Sequence, residues 1–222
     1  MTHRVSFENK SNKLILNAVY ESKVPFKNLS CEPISKIFAL KQTVNKKRFL
    51  FGNAGGIRTS VDENKKILAI LLYSNESEKE WPDKIERNVL TYYGDSRPSN
   101  EDIGINTKGN SAFYSIFTAK HNDERTKVPP VFIFFKDHNQ PGINVEFKGL
   151  AVPGYIPKKD KKEELSLDQN SEHNAPNFVA RFTILNQIKE IDRLWFSDIA
   201  MGNTINSNYC PKIWKDWVNS NS

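Results

Sequence analysis

W-P-D-K-I-E-R-N-V-L-T-Y-Y-G-D, Trp81 to Asp95, is the stretch on which the reading of this chain turns, with Arg97 and Pro98 just beyond it. Thr91 to Tyr93 has the β-branched and aromatic content of a short strand, and Gly94 marks a turn at its end. A tryptophan, two adjacent tyrosines and a carboxylate therefore gather around one strand end. Aromatic faces stack on planar rings. An ionised carboxylate only accepts hydrogen bonds, and cytosine carries a donor amine on its Watson–Crick edge. The combination reads as a pocket for a flipped, modified base. The alternative makes Trp81, Tyr92 and Tyr93 ordinary core aromatics and Asp95 a turn residue after Gly94.

Working outward, Lys66 to Tyr73 (K-I-L-A-I-L-L-Y) and Val131 to Phe135 (V-F-I-F-F) read as buried strands. Leu14 to Tyr20, Asn144 to Lys148 and Phe178 to Leu185 add further strands. A helix is expected over Glu32 to Leu40, with Pro33 in its first turn. A second is expected over Ser111 to Lys120, where Ala112, Phe113, Ile116, Phe117 and Ala119 share one face. Ile188 to Ile199 also has helical features, and Trp214 to Val218 is expected to cap the structure. Strands outnumber helices, which predicts an α+β domain on a twisted, largely antiparallel sheet. The segment G-N-A-G-G-I-R, Gly52 to Arg58, lacks the Gly-Lys-Ser/Thr of a phosphate-binding loop. It reads either as a plain turn or as a loop that brings Arg58 against DNA. Ser96 to Gly109 reads as an ordered loop. Residues 158–174 are charged and nearly devoid of apolar content, and predict a mobile loop inside a single domain over 1–222.

With 222 residues the chain is long enough to bury a core without staples. Its 32 basic and 26 acidic residues leave a net charge of +6, which favours an anionic partner. Cys31 and Cys210 have no cysteine or histidine at ligand spacing, so neither a metal site nor a disulfide framework is expected. The N-terminus has no apolar signal core, and no run reaches the roughly 18 apolar residues of a membrane span. A cytoplasmic location, with no membrane contact, is expected. Asp137 followed by Glu146-Phe147-Lys148 imitates the D…E-x-K pattern that holds Mg²⁺ in nucleases, a match short enough to arise by chance. His3, His121, His138 and His173 are scattered and form no catalytic constellation.

G-G-I-R (Gly55 to Arg58), W-P-D (Trp81 to Asp83), T-Y-Y-G-D-S-R-P (Thr91 to Pro98), K-G-N (Lys108 to Asn110), F-K-G-L-A-V-P-G (Phe147 to Gly154) and A-R-F-T-I-L (Ala180 to Leu185) follow in this order. Together they resemble the N-terminal DNA-binding domain of AspBHI/MspJI-type modification-dependent restriction endonucleases. The resemblance covers roughly residues 14–200. It implies an SRA-like fold, a curved, barrel-like, mostly antiparallel sheet flanked by helices. It also implies binding to duplex DNA that contains 5-methylcytosine or 5-hydroxymethylcytosine, with the modified base flipped out. On this chain Asp95 would receive the cytosine amine and Trp81 would form one stacking face. Tyr92, Tyr93 and Tyr114 are candidates for the other face. Arg58, Arg97, Lys108 and Asn110 would contact the DNA backbone or groove. The resemblance implies no catalytic residue, no metal and no cofactor in this domain, and a separate C-terminal nuclease domain in complete members. Two other readings stay open: a Mg²⁺-dependent nuclease using Asp137, Glu146 and Lys148, and a module for RNA or modified nucleosides.

Overall fold

Leu68 to Leu72 are five consecutive buried residues, so the strand that carries them is covered on both faces. In the computed structural model, which describes residues 2–24, 31–44, 47–52, 55–76, 79, 81–95, 107–156, 160–168 and 177–220, that strand is central to a large sheet. The elements in chain order begin with β1 (Arg4–Val5), β2 (Lys13–Ile15), β3 (Val19–Tyr20), α1 (Pro33–Ile37), β4 (Ala39–Val44) and β5 (Lys47–Phe49). Next come β6 (Ile57–Val61), β7 (Ile67–Ser74), β8 (Lys84–Glu86), β9 (Val89–Tyr93) and α2 (Lys108–His121). They are followed by β10 (Val131–Lys136), β11 (Val145–Pro153), α3 (Lys161–Glu164), β12 (Leu165–Asp168) and β13 (Asn177–Ile184). The last are β14 (Glu190–Asp192), α4 (Leu194–Ala200) and α5 (Lys212–Asn219).

The main sheet runs β6-β7-β10-β11-β13-β9-β8, with β12 added on β13 and the β1/β3 pair on β11. Its pairings are antiparallel except β7/β10 and β1/β3, as an α+β fold on a mostly antiparallel sheet requires. The sheet is not closed, but it curls. Four strand spacings separate β7 from β9, about 19 Å in a flat sheet. Yet the Tyr92 hydroxyl on β9 donates to the Tyr73 carbonyl on β7 at 2.9 Å. Alternation along β10 splits the core in two. Phe132 and Phe134 join Phe38, Phe51, Trp195, Phe196 and Trp214 on one face. Val131, Ile133 and Phe135 join Tyr92, Phe113, Phe117 and Phe182 inside the curl, where α2 lies.

Several boundaries differ from expectation. The strand expected over Leu14 to Tyr20 breaks at Asn17, whose φ of 58° is the left-handed conformation asparagine tolerates. The first helix stops at Ile37, and β4 starts at Ala39. Within Ile188 to Ile199 a strand, β14, precedes helix α4. The expected mobile loop over 158–174 is corrected for its described residues 160–168. They form α3 and then β12, which pairs with β13 from Leu165↔Ala180 to Asp168↔Asn177. The anchor is one residue in the charged run: Glu164, which has no exposed surface.

Candidate nucleic-acid interface

Strand β9 separates the two adjacent tyrosines, because neighbouring side chains on a strand face opposite ways. Tyr92 points into the curl and is only 4 % exposed. Its ring meets Phe113 edge-on at 6.0 Å. A Cβ at Gly56 would lie 2.7 Å from its hydroxyl oxygen, so a glycine is needed where β6 begins. Burial pushes the Tyr92 phenol well above its usual range. Tyr92 is therefore a core residue holding the seam of the curled sheet, and its candidacy as a stacking face is withdrawn. Tyr93 faces the other way and is half-buried. Its N–H donates to Asp83 Oδ1 at 2.9 Å, which ties the segment bearing half-buried Trp81 to the end of β9.

Beyond Tyr93 the chain passes Gly94 and reaches Asp95, whose carboxylate meets the N-terminus of α2. The Thr107 hydroxyl donates to Oδ1. The Asn110 N–H also donates to Oδ1, at 3.1 Å, and the Gly109 N–H donates to Oδ2 at 3.0 Å. The first turn of α2 contains no acidic residue, so Asp95 supplies from outside the negative charge that a helix N-terminus favours. Asn110 Oδ1 in turn accepts the Asp95 N–H at 3.1 Å, and Asn177 Nδ2 donates to the Gly94 carbonyl at 3.2 Å. Both asparagines are fully buried. A side chain at Gly94 would collide with both asparagine side chains, and one at Gly109 would come within 2.8 Å of Asp95 Oδ2. Among the described residues no cation lies within ion-pair distance of Asp95.

The structure thus brings the Trp81 segment, Tyr93, Asp95, Lys108 and Asn110 to one corner. Lys108 is exposed at the first residue of α2. Asn110, expected to touch DNA, instead positions Asp95. Arg58 is corrected more strongly. It is 7 % exposed, and its guanidinium donates to Glu32 at 3.2 and 3.4 Å and to the carbonyls of Gly52 and Gly55. Burial pushes the Glu32 carboxyl above its usual range even against that guanidinium. Tyr114 is 52 % exposed on the outer side of α2. Arg97 lies outside the described residues. Sequence reading missed Asp83, Thr107 and Asn177. Thr107 was recoverable, since a threonine just before an apolar-periodic run is a helix-capping signal.

The nuclease pattern is not assembled as a metal site. The Asp137 carboxylate takes Arg4 at 3.1 Å and both the backbone and side-chain N–H groups of Asn139. Glu146 pairs with Lys148 at 2.8 Å. Among the described residues no cluster of three or more His, Cys, Asp or Glu could hold an ion.

Residues 14–222 match the family model described as restriction endonuclease AspBHI N-terminal. The chain belongs to this family. Solved structures to which it is similar include the DNA recognition domain of the cytosine modification-dependent restriction endonuclease LpnPI. It shares 33 % identity over 97 % of this chain and 93 % of that one, with a TM-score of 0.76. The DNA modification-dependent restriction endonuclease AspBHI shares 27 % identity over 98 % of this chain, with a TM-score of 0.79. MspJI, solved with a 27-mer oligonucleotide, has the same fold at 18 % identity over 96 % of this chain and a TM-score of 0.69. This AspBHI N-terminal family member spans about half of those two chains, 53 % and 52 % respectively. No curated protein matches the sequence. Among the described residues no helix is long and apolar enough to cross a membrane.

Proposed function

We propose that this chain is the targeting module of a modification-dependent restriction system, reading a flipped modified cytosine in duplex DNA at Asp95. One observation carries the residue assignment. A carboxylate has about four acceptor sites, and three donors occupy Asp95 among the described residues. The free site is on Oδ2, and it belongs to a fixed, charged acceptor beside Tyr93 and the Trp81 segment. A cytosine amine can donate to it, while a thymine presents a carbonyl that it repels. Trp81 and Tyr93 are the half-buried aromatics of the stretch that ends at that acceptor, and Lys108 offers a phosphate contact. Membership of the recognition-domain family supports a non-catalytic reader acting in the cytoplasm. The same membership supports one domain over 1–222, with a nuclease domain or subunit doing the cutting.

The test is a titration against matched duplexes carrying cytosine, 5-methylcytosine or 5-hydroxymethylcytosine. Tighter binding to a modified duplex, without cleavage when Mg²⁺ is added, is the expected result. Trp81→Ala should weaken that binding by about 1–3 kcal/mol, the worth of one stacked base, while thermal melting stays near wild type. Equal affinity for all three duplexes sinks the reading. A preference for single-stranded RNA favours an RNA module, and cutting that disappears in Glu146→Ala favours a nuclease.

A further inference from the structure

At the opposite end of β9 from Asp95 the curled sheet has a second opening. It is a cleft of about 520 Å³ whose walls include Arg87, Lys148 and Lys189 together with Asn17, Asn88 and Asn186. Phe135 and Ile85 close it toward the core, and among the described residues Glu76 is the one acidic residue on its wall. Five residues of β9 separate the two ends, on the order of 15 Å at the usual rise of a strand.

The cleft's rims are fastened by backbone bonds from three separate segments. Asn17 N–H donates to the Phe147 carbonyl at 2.8 Å, Leu16 N–H to the Lys189 carbonyl at 2.9 Å, and Ile184 N–H to the Asn88 carbonyl at 2.8 Å. Asn186 Nδ2 reaches Asn88 Oδ1 at 3.1 Å. The cations therefore stand on a pre-organised frame. Lys148 lies above the Phe135 ring and is already paired with Glu146 at 2.8 Å. Lys189 Nζ donates to the Asn186 carbonyl at 2.8 Å. Arg87 is exposed, and among the described residues no acidic group lies within ion-pair distance of it.

Arg87 gives the second, independent sign. It is the first of two residues that turn the chain between β8 and β9, where Glu86 pairs with Val89. Its φ is 57°, a conformation that glycine adopts freely and a side chain adopts at a cost of about 1 kcal/mol. Asn17 and Glu76, at 58° and 54°, share that conformation on the same walls. A glycine would make a better turn at position 87; the arginine adds only a cation at the cleft mouth.

We propose that this cleft is a phosphate site that holds the backbone of a duplex engaged at Asp95. The inference rests on the DNA-reading assignment above. Duplex DNA presents a charge about every 1.7 Å along its axis, so a duplex seated at Asp95 has phosphates at this range. Arg87 supplies a planar, bidentate donor for phosphate oxygens, and the lysines supply point charges.

The test uses Arg87→Gly combined with Lys189→Gln in the full chain. The glycine suits the backbone at position 87, so melting should be unchanged or slightly raised. Binding to methylated and unmethylated duplexes should weaken together, by about tenfold to a hundredfold at 0.1 M salt. The slope of log K against log salt should become shallower by about two, one for each phosphate that no longer meets a cation. The ratio of methylated to unmethylated affinity should not move. An unchanged affinity and slope, in a protein that still prefers the methylated duplex, overturns the cleft and leaves the base reading intact. A wild type without preference, whose duplex affinity nevertheless drops in the variant, overturns the base reading and keeps the cleft. Inorganic phosphate that binds through Arg87 and Lys189, with duplex affinity indifferent to the variant, assigns the cleft to a small anion and removes the DNA backbone from it.

Discussion

Helix α2 holds a carboxylate at each end, Asp95 at its N-terminus and Glu164 at its C-terminus, and the two are held by opposite means. Asp95 is half-buried and takes a hydroxyl and two backbone N–H groups, all neutral donors. Glu164 is fully buried and takes Lys120 Nζ at 2.5 and 2.6 Å, His121 Nε2 at 2.8 Å and the Tyr155 N–H at 3.2 Å. Lys120 itself is 4 % exposed. At the C-terminal end the carboxylate's charge is cancelled and sealed, so nothing remains to meet a ligand. At the N-terminal end the charge is fixed in place, yet among the described residues it stays uncompensated. The first arrangement braces α3 and β12 against the sheet. The second suits recognition, because an incoming donor finds an acceptor that needs no rearrangement.

The comparison breaks most visibly at its braced end. Glu164→Gln leaves the Lys120 ammonium buried beside an uncharged amide. Breaking one partner of a buried pair costs about 3–5 kcal/mol, since the remaining charge has lost its compensation. Denaturant unfolding should show a loss of that size. A companion Lys120→Met in the same chain should recover much of it, because no orphan charge then remains. The folded fraction of either variant should keep the wild-type preference among duplexes. A Glu164→Gln protein of near wild-type stability would show that the pair is not sealed.

The same end sets a smaller effect of pH. Burial pushes the Glu164 carboxyl up, but the bonds from Lys120, His121 and the Tyr155 N–H outweigh it and hold the group below the usual carboxylate range. A carboxyl depressed on folding stabilises fully above its unfolded pKa, and the gain is lost as pH falls through the lower folded value. Stability should therefore fall on acidification below the ordinary glutamate range. Glu164→Gln should flatten that limb, and an identical acid profile in the two proteins would assign it to other carboxyls.

The strands and α2 were legible because apolar runs and spacing report burial directly: Leu68 to Leu72 and Val131 to Phe135 are buried as read. The assignment of Asp95, Trp81, Tyr93 and Lys108 to one place was legible through ordered motifs. What escaped was set by partners distant in sequence. Glu164 sits in a run of lysines and acids that looks solvated, and its partner Lys120 is 44 positions away. Arg58 looks like a surface cation until Glu32, 26 positions away, is found against it. Composition cannot report such pairs, since an ion pair costs no apolar residue locally. The choice between Tyr92 and Tyr93 was half legible: alternation allows only one of them to enter the core, but not which.

At the recognition end the smallest change is the most informative. Asp95→Asn removes a charge and keeps the shape. If Asp95 only caps α2, the loss is that of a cap and its dipole interaction, about 0.5–2 kcal/mol of stability, and duplex preference is untouched. If its free acceptor site also receives the cytosine amine, a second effect appears in the folded protein. The amide has one oxygen and one donor group. The oxygen is drawn toward the Asn110 N–H and the Thr107 hydroxyl, which places the donor on the side of Oδ2. A donor there repels the amine of a modified cytosine and donates to a thymine carbonyl. Affinity for the modified duplex should fall by about 1.5–3 kcal/mol, the worth of one hydrogen bond to a charged group. Affinity for a duplex with thymine at the same position should rise, so discrimination relaxes from both sides. Titrations of wild type and Asp95→Asn against the two duplexes, with melting as the folding control, separate the outcomes. A lower melting temperature with unaltered discrimination would leave Asp95 as a brace like Glu164 and erase the difference between the two ends of α2.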